Sequence, residues 1–236
     1  IISKVMKPKT ICVIPIKKYS SRLKNKNFLK IGNNSLFEIA INKAIQSNIF
    51  DEIFISTDSL KAQKQAQKLN LSAPFLRPKK LSKDPATITD VMIHVDNYNL
   101  KNKKNYTHMF VLHVTNPLIE IKDIKLAFKK FLISDKDACM SVCKSTYPPF
   151  NSWIIKNKSL KPTFKNSKFK FTKSTECPTT YFSNGGFRIV KLKKFRLAKD
   201  FHTLKIMPYV MDFKNSIDID NKIEFNFAKF LLNEKK

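Results

Sequence analysis

Four short, mostly apolar runs, Ile11–Ile16, Ile53–Ile55, Met109–Val114 and Ala138–Cys143, interrupted only by Pro15, His113 and Ser141, are separated by stretches in which apolar residues recur at helical spacing. That alternation restricts the fold more than any other feature. A brief continuous apolar run is a strand buried on both faces, which requires helices above and below the sheet. Between the runs, Leu36, Phe37, Ala40, Ile41, Ala44 and Ile45 share one helical face, and Ala62, Ala66 and Leu69 mark a more polar helix. A helix is expected from Thr87 to Tyr98, and Ile121, Ile124, Phe128 and Phe131 give a clear amphipathic one. Strand–helix order with short connections predicts an α/β fold, a mainly parallel sheet with helices on both faces. Further on, Phe187–Val190 and Ile206–Met211 are expected strands, and Ile223, Phe227, Phe230 and Leu231 mark an expected closing helix. From about 148 to 180 the pattern loosens, with Pro148, Pro149, Pro162 and Pro178 among lysines and phenylalanines. We expect a single domain over 1–236 carrying an inserted lobe or dimerisation arm there.

Other function classes are narrowed by composition. No apolar run approaches the ~18 residues of a membrane span, so a cytoplasmic protein with no membrane partner is expected. Cys139 and Cys143 lie four apart in an apolar run with no histidine cluster, so they and Cys12 and Cys177 are expected to be reduced thiols and not zinc ligands. Lys and Arg total 45 against 18 acidic residues, a net charge of +27 that attracts polyanions. The lysines are dispersed, and no basic helix carries interleaved aromatics. With only three glycines and abundant Lys, Asn, Ile and Phe, the charge matches a genome-wide bias. A nucleic-acid-binding protein is therefore a minor alternative, and no nucleic-acid partner is expected.

In a sheet of this kind, ligands sit outside the carboxyl ends of the strands. The loop Lys17–Asn27 follows the first strand directly and holds five cations, two serines and two asparagines in eleven residues. Convergent charge-assisted donors of this kind suit a triphosphate, although the Gly-rich phosphate loop and its GK[ST] ending are absent. In Ser216-Ile217-Asp218-Ile219-Asp220-Asn221 the carboxylates alternate with isoleucines, so in an extended chain both face one side. Two carboxylates form an oxygen-rich site suited to Mg²⁺; alternatively Asp220 or Asn221 caps the last helix. Pro78 fixes the backbone beside Arg77, whose guanidinium could meet a base edge, a phosphate or only solvent. His113 ends the third strand, as a substrate contact or a satisfied core histidine. Two of the three glycines, Gly185 and Gly186, stand beside Asn184 and imply close backbone approach or positive φ, with Asn184 placed to meet a polar ligand.

Taken in order, these segments resemble the cytidylyltransferases that activate nine-carbon acidic sugars, the acylneuraminate (CMP-sialic acid synthetase) family. The family's opening IPARGGSKRxxxKN is matched in register by Ile14, Pro15, Ser20, Arg22, Lys26 and Asn27. Its STD appears as Ser56-Thr57-Asp58, and its RPxxLSxD as Arg77-Pro78, Leu81-Ser82 and Asp84. Its QPTSPL becomes His113-Val114-Thr115-Asn116-Pro117-Leu118, its NGA becomes Asn184-Gly185-Gly186, and its DID is Asp218-Ile219-Asp220. The resemblance implies a Rossmann-like nucleotidyltransferase fold, usually a homodimer, that transfers CMP from CTP to the anomeric hydroxyl of a 2-keto acid sugar and releases pyrophosphate. It implies that Lys17, Ser20, Arg22, Lys26 and Asn27 bind the triphosphate and that Arg77 and Ser82 lie near the cytosine. It further implies that Asp218 and Asp220 hold Mg²⁺, with Lys26 in the catalytic set, and that His113, Tyr181 and Asn184 face the sugar. A related nucleotidyltransferase, such as a CMP-Kdo synthetase-like enzyme, is the alternative.

The departures fall in two places. Lys18 and Tyr19 replace the loop glycines that let phosphate approach the backbone, Lys17 replaces an Arg, and Ser21 replaces a Lys. Around the sugar, His113 stands for a Gln, Phe182 for an Arg, and Arg188 for an aromatic residue.

Overall fold

Alternate residues of the first strand, β1 (Thr10–Ile16), enter different cores: Cys12, Ile14 and Ile16 pack on one face of the sheet, Ile11 and Val13 on the other. The continuous apolar run is thus a strand buried on both sides. The computed structural model describes residues 8–20 and 22–234, so Ser21 of the basic loop lies outside the described residues. After β1 come a small hairpin, β2 (Lys30–Ile31) and β3 (Asn34–Ser35), then α1 (Leu36–Ser47), β4 (Glu52–Thr57), α2 (Leu60–Lys68) and α3 (Ile88–Lys101). The chain continues with β5 (His108–Leu112), α4 (Ile121–Leu132) and β6 (Ala138–Lys144). An exposed hairpin, β7 (Trp153–Lys156) and β8 (Ser159–Pro162), precedes β9 (Tyr181–Lys191), α5 (Leu192–Ala198), β10 (Ile206–Met211) and α6 (Lys222–Asn233).

Six strands form the main sheet in the order β10-β6-β9-β5-β1-β4. β1 pairs parallel with β4 and β5, and β10 with β6, as expected. The long β9 runs antiparallel between β5 and β6, a placement that the strand–helix alternation does not predict. It places residues 181–191 at the centre of the sheet, with a register irregularity opposite Met140–Val142 beside the glycine pair. One face is covered by α1, α2 and α4, which contribute Phe37, Ala62 and Phe131 to the core; the other is covered by α3 and α5, which contribute Met92 and Phe195. Paired side-chain and backbone caps start the helices, Ser35 with Glu38 at α1 and Thr87 with Asp90 at α3.

The expected closing helix is α6, and its apolar residues divide between core and solvent. Phe225 and Ala228 are buried, whereas Ile223, Phe227 and Phe230 face out and Leu231 packs inward. Apolar residues surround much of this helix, and sequence alone gives two candidate stripes. The phase is set by Ile217 and Ile219, which anchor the preceding segment in the same cluster. Cys12, Cys139 and Cys143 are buried free thiols and Cys177 is a half-buried one. Among the described residues no helix is long and apolar enough to cross a membrane.

Candidate active site

The carboxyl ends of β1 and β5 open into a cavity of about 790 Å³. All seven residues expected at the nucleotide line it: Lys17, Ser20, Arg22, Lys26, Asn27, Arg77 and Ser82. The loop is fastened at both ends. Asn27 Nδ2 donates to the Lys17 carbonyl at 2.9 Å, and the Lys18 amide donates to Asp58 Oδ1 at 2.7 Å. Lys18 and Tyr19, which stand where glycines would, need no left-handed backbone; within the described part of the loop only Asn25 has positive φ, at 55°. Tyr19 projects outward at 73 % exposure with Lys18 Nζ 5.1 Å from its ring, so the substitutions impose no backbone strain.

Lys26 is nearly buried, and its Nζ meets Asp220 Oδ1 at 2.8 Å. Arg22, largely exposed, takes the other oxygen at 2.7 Å. A 194-residue separation is thereby closed between the basic loop and the Asp-Ile-Asp segment. The alternation expected there holds in the burial: Ile217 and Ile219 are in the core and the two aspartates face the other side, with the Ile219 amide tied to the Thr115 carbonyl at 2.8 Å. Asn221 caps α6, accepting from the Glu224 amide at 3.0 Å, so Asp220 keeps its carboxylate for Lys26 and Arg22.

Asp218 is in a different situation. Burial raises its pKa, opposed by the Thr115 hydroxyl and Lys26. Its Oδ1 is buried without a hydrogen-bond partner. The carboxylate lies against Gly185, where a Cβ would come within 2.3 Å of Oδ2; Gly185 also has φ +62°, so both space and backbone require glycine. The adjacent Gly186 is equally confined, because a Cβ there would meet Ser141 Oγ at 2.8 Å. An orphan carboxylate oxygen beside a second carboxylate fits a hard cation. Among the described residues no three His, Cys, Asp or Glu side chains converge, so the protein would offer two carboxylates and leave the other positions to phosphate and water, the usual manner of Mg²⁺.

Beyond β5 the cavity adjoins a smaller one of about 270 Å³, and His113 and Thr115 line both. The smaller cavity is also bounded by Ser183, the glycine pair, Phe187, Arg188 and Asp218. Burial and Arg188 push the His113 pKa down to about 4, so its imidazole is neutral at physiological pH.

Three expected residues are placed otherwise than as free ligand contacts. Arg77 borders the large cavity, but its guanidinium is buried and committed: Nε to Ser82 Oγ at 3.0 Å, Nη1 to the Ser56 carbonyl at 3.2 Å and Nη2 to the Ile16 carbonyl at 3.0 Å. It ties together the ends of β1 and β4, and Ser82 positions it. Asn184 is buried with its amide occupied: Nδ2 donates to Ser216 Oγ at 2.8 Å and Oδ1 accepts from the Gly186 amide at 3.2 Å. It shapes the glycine turn from within. Tyr181 is half exposed at the start of β9 and lines neither cavity. Conversely, Thr115 and Arg188 emerge as cavity residues that sequence reasoning did not select. Thr115 lay inside the quoted strand-end motif, and Arg188 was visible only as a departure from the family pattern.

A sequence profile described as Cytidylyltransferase matches residues 11–230. A pseudaminic acid cytidylyltransferase of Campylobacter jejuni is 27 % identical, with 94 % of this chain and 96 % of that protein covered. An N-acylneuraminate cytidylyltransferase of Escherichia coli is 29 % identical over 94 % of this chain and 52 % of that protein. A CMP:2-keto-3-deoxy-manno-octonic acid synthetase solved with CTP superposes with a TM-score of 0.69 at 14 % identity, covering 97 % of this chain and all of the other. At that identity the structural match speaks for the fold alone.

Proposed function

The chain belongs to the cytidylyltransferase family, and from that premise we propose that it transfers CMP from CTP to the anomeric hydroxyl of an acidic 2-keto sugar, releasing pyrophosphate. The observation that carries this reading is the pair of adjoining cavities: a large one lined by the basic loop, a small one lined by Asp218 and Arg188, with His113 and Thr115 common to both. A nucleotide in the first brings its α-phosphate towards an acceptor in the second. The named relatives act on pseudaminic and N-acylneuraminic acids, which supports a nine-carbon acidic acceptor.

Catalysis of this kind rests on positioning and charge neutralisation. Lys17, Ser20, Arg22, Lys26 and Asn27 grip the triphosphate. Lys26 is aimed by Asp220 and shielded from water, so its charge acts across a poorly screened distance. Arg77 and Ser82 hold the floor under the base by pinning β1 to β4. Asp218, with its unpartnered oxygen, would hold Mg²⁺, and Asp220 would join it by releasing Lys26 or Arg22 to the phosphates; the ion would supply charge neutralisation of the triphosphate. Asp218 lines the small cavity, where its carboxylate is placed to accept a hydrogen bond from the attacking hydroxyl. Tyr181 and the exposed apolar residues of the segment about 148–180 fit a homodimer interface, and the enzyme would work in the cytoplasm without nucleic acid.

The deciding experiment is pyrophosphate release from CTP against a panel of sugar acids, with an eight-carbon 2-keto acid as the competing acceptor. CTP with Mg²⁺ should raise the melting temperature more than ATP does, and pyrophosphate should appear only when an acid sugar is present. No thermal shift at millimolar CTP and no release with any acid would remove the reading.

A further inference from the structure

Arg188 sits in the middle of the sheet, paired through β9 with Val111 on one side and Met140 on the other. Its side chain is half-buried and stacks on Phe201, with Cζ 4.8 Å from the ring centroid. Among the described residues no hydrogen bond and no ion pair engages the guanidinium. Burial lowers its pKa, and the neighbouring His113 is neutral and offers no countercharge. Arg196, by contrast, has both its Nε and its Nη2 satisfied by Asp96 at 2.8 and 2.9 Å. A partly desolvated guanidinium with open donors is costly to the fold, and a planar fork of this kind is matched by a carboxylate. Among the residues lining the small cavity, Arg188 and Asp218 are the only charged ones, around about 270 Å³.

Resting on the cytidylyltransferase reading, we propose that Arg188 is the residue that binds the acceptor's carboxylate, and that it makes a carboxylate on the reacting carbon the condition for acceptance. The chemistry of a 2-keto acid sugar explains the arrangement. Its carboxylate and its anomeric hydroxyl are attached to the same carbon, so the group that holds the first must share a small space with the group that receives the second. Arg188 and Asp218 share that space, and His113 and Thr115 connect it to the nucleotide cavity. A neutral His113 adds an N–H or a lone pair without competing for the anion. Stacking on Phe201 fixes the plane of the guanidinium, so its fork is aimed before substrate arrives. Phe182, at the outer end of the same strand, lines neither cavity.

The test uses the sugar acid that releases most pyrophosphate with the wild-type protein, and the same sugar with its carboxylate converted to the amide. Arg188→Gln should raise the KM for the acid roughly 10–100-fold, the range of a lost charge-assisted pair, and leave the KM for CTP unchanged. Wild type should prefer the acid to the amide by a similar factor, Arg188→Gln should lose that preference, and Arg188→Lys should recover part of it. An unchanged KM for the acid in Arg188→Gln, or an intact preference over the amide, overturns the assignment while leaving the cytidylyltransferase reading in place. Should Arg188→Gln not fold, Arg188→Lys decides: its rigid fork is gone, so wild-type KM and wild-type preference there overturn the assignment equally. No turnover of any acid by wild type that nonetheless binds CTP overturns both.

Discussion

Asp218 shows how a single residue trades stability for chemistry. Its carboxylate is buried against Gly185 with one oxygen unpartnered, an arrangement that disfavours the charged form and that a hydrophobic core would not tolerate without another use. Asp218→Asn keeps the shape and removes the charge. Without ligand this variant is expected to melt above wild type, and with CTP and a sugar acid its turnover should drop by 10³ or more, within the span of losses seen when a catalytic group is removed. Differential scanning calorimetry and pyrophosphate release measure the two effects; an unliganded melting point below wild type, or retained turnover, would contradict them. Sequence alone allowed the pairing of Asp218 with Asp220 to be seen, because alternation with isoleucine is a local pattern. It could not separate their roles. Lys26 and Arg22 both reach Asp220 across nearly two hundred residues, and the glycine that crowds Asp218 comes from β9. For the same reason Asn184 was given a ligand contact and Arg188 only a place around the sugar with no role: each is judged by what surrounds it in space, and Ser216 and Phe201 lie elsewhere in the sequence.

At the scale of elements, every strand of the main sheet had a counterpart in the apolar runs, because burial on both faces leaves a continuous signature. The insertion of β9 between β5 and β6 left none, since antiparallel and parallel partners bury the same residue types. The packing of β5 against α4 carries a pH dependence. His108 opens β5 and lies edge-on to Phe128 and Phe131 of α4, with ring centroids 6.1 and 6.0 Å away. Burial and the nearby Lys191 push its pKa down to about 4. An unfolded histidine titrates near 6.5, so the unfolded chain binds this proton first. The stabilisation is therefore complete above about pH 6.5 and lost as pH falls through about 4. The urea midpoint should decline over that window, and His108→Gln, which cannot take up the proton, should decline less steeply. Equal slopes for the two proteins would show that β5 and α4 do not depend on a neutral imidazole.

The whole molecule presents a contradiction between charge and surface. A net charge of +27 should keep copies apart, yet the segment around β7 and β8 displays Ile155 at 78 % exposure, with Leu160 and Phe171 each at 61 %. Internal ring contacts, Trp153 with Phe171 and Phe150 with Phe164 and Phe169, give this segment its own order but leave its outer apolar side uncovered. Ile155 and Leu160 are cross-strand partners in this hairpin, and an exposed apolar cluster of this kind marks an interface. For the homodimer proposed above, apolar burial must overcome repulsion between two strongly basic copies, and salt screens only the second of these. Association should therefore tighten as ionic strength rises, the reverse of what a basic surface binding a polyanion would do. Sedimentation velocity at low and high salt should show a dimer that strengthens with salt. Ile155→Glu combined with Leu160→Glu should give a monomer whose CTP-induced thermal shift is intact, because neither residue lines the nucleotide cavity. A wild-type protein that sediments as a monomer at tens of micromolar in high salt would show that the apolar side of this segment serves something other than a second copy.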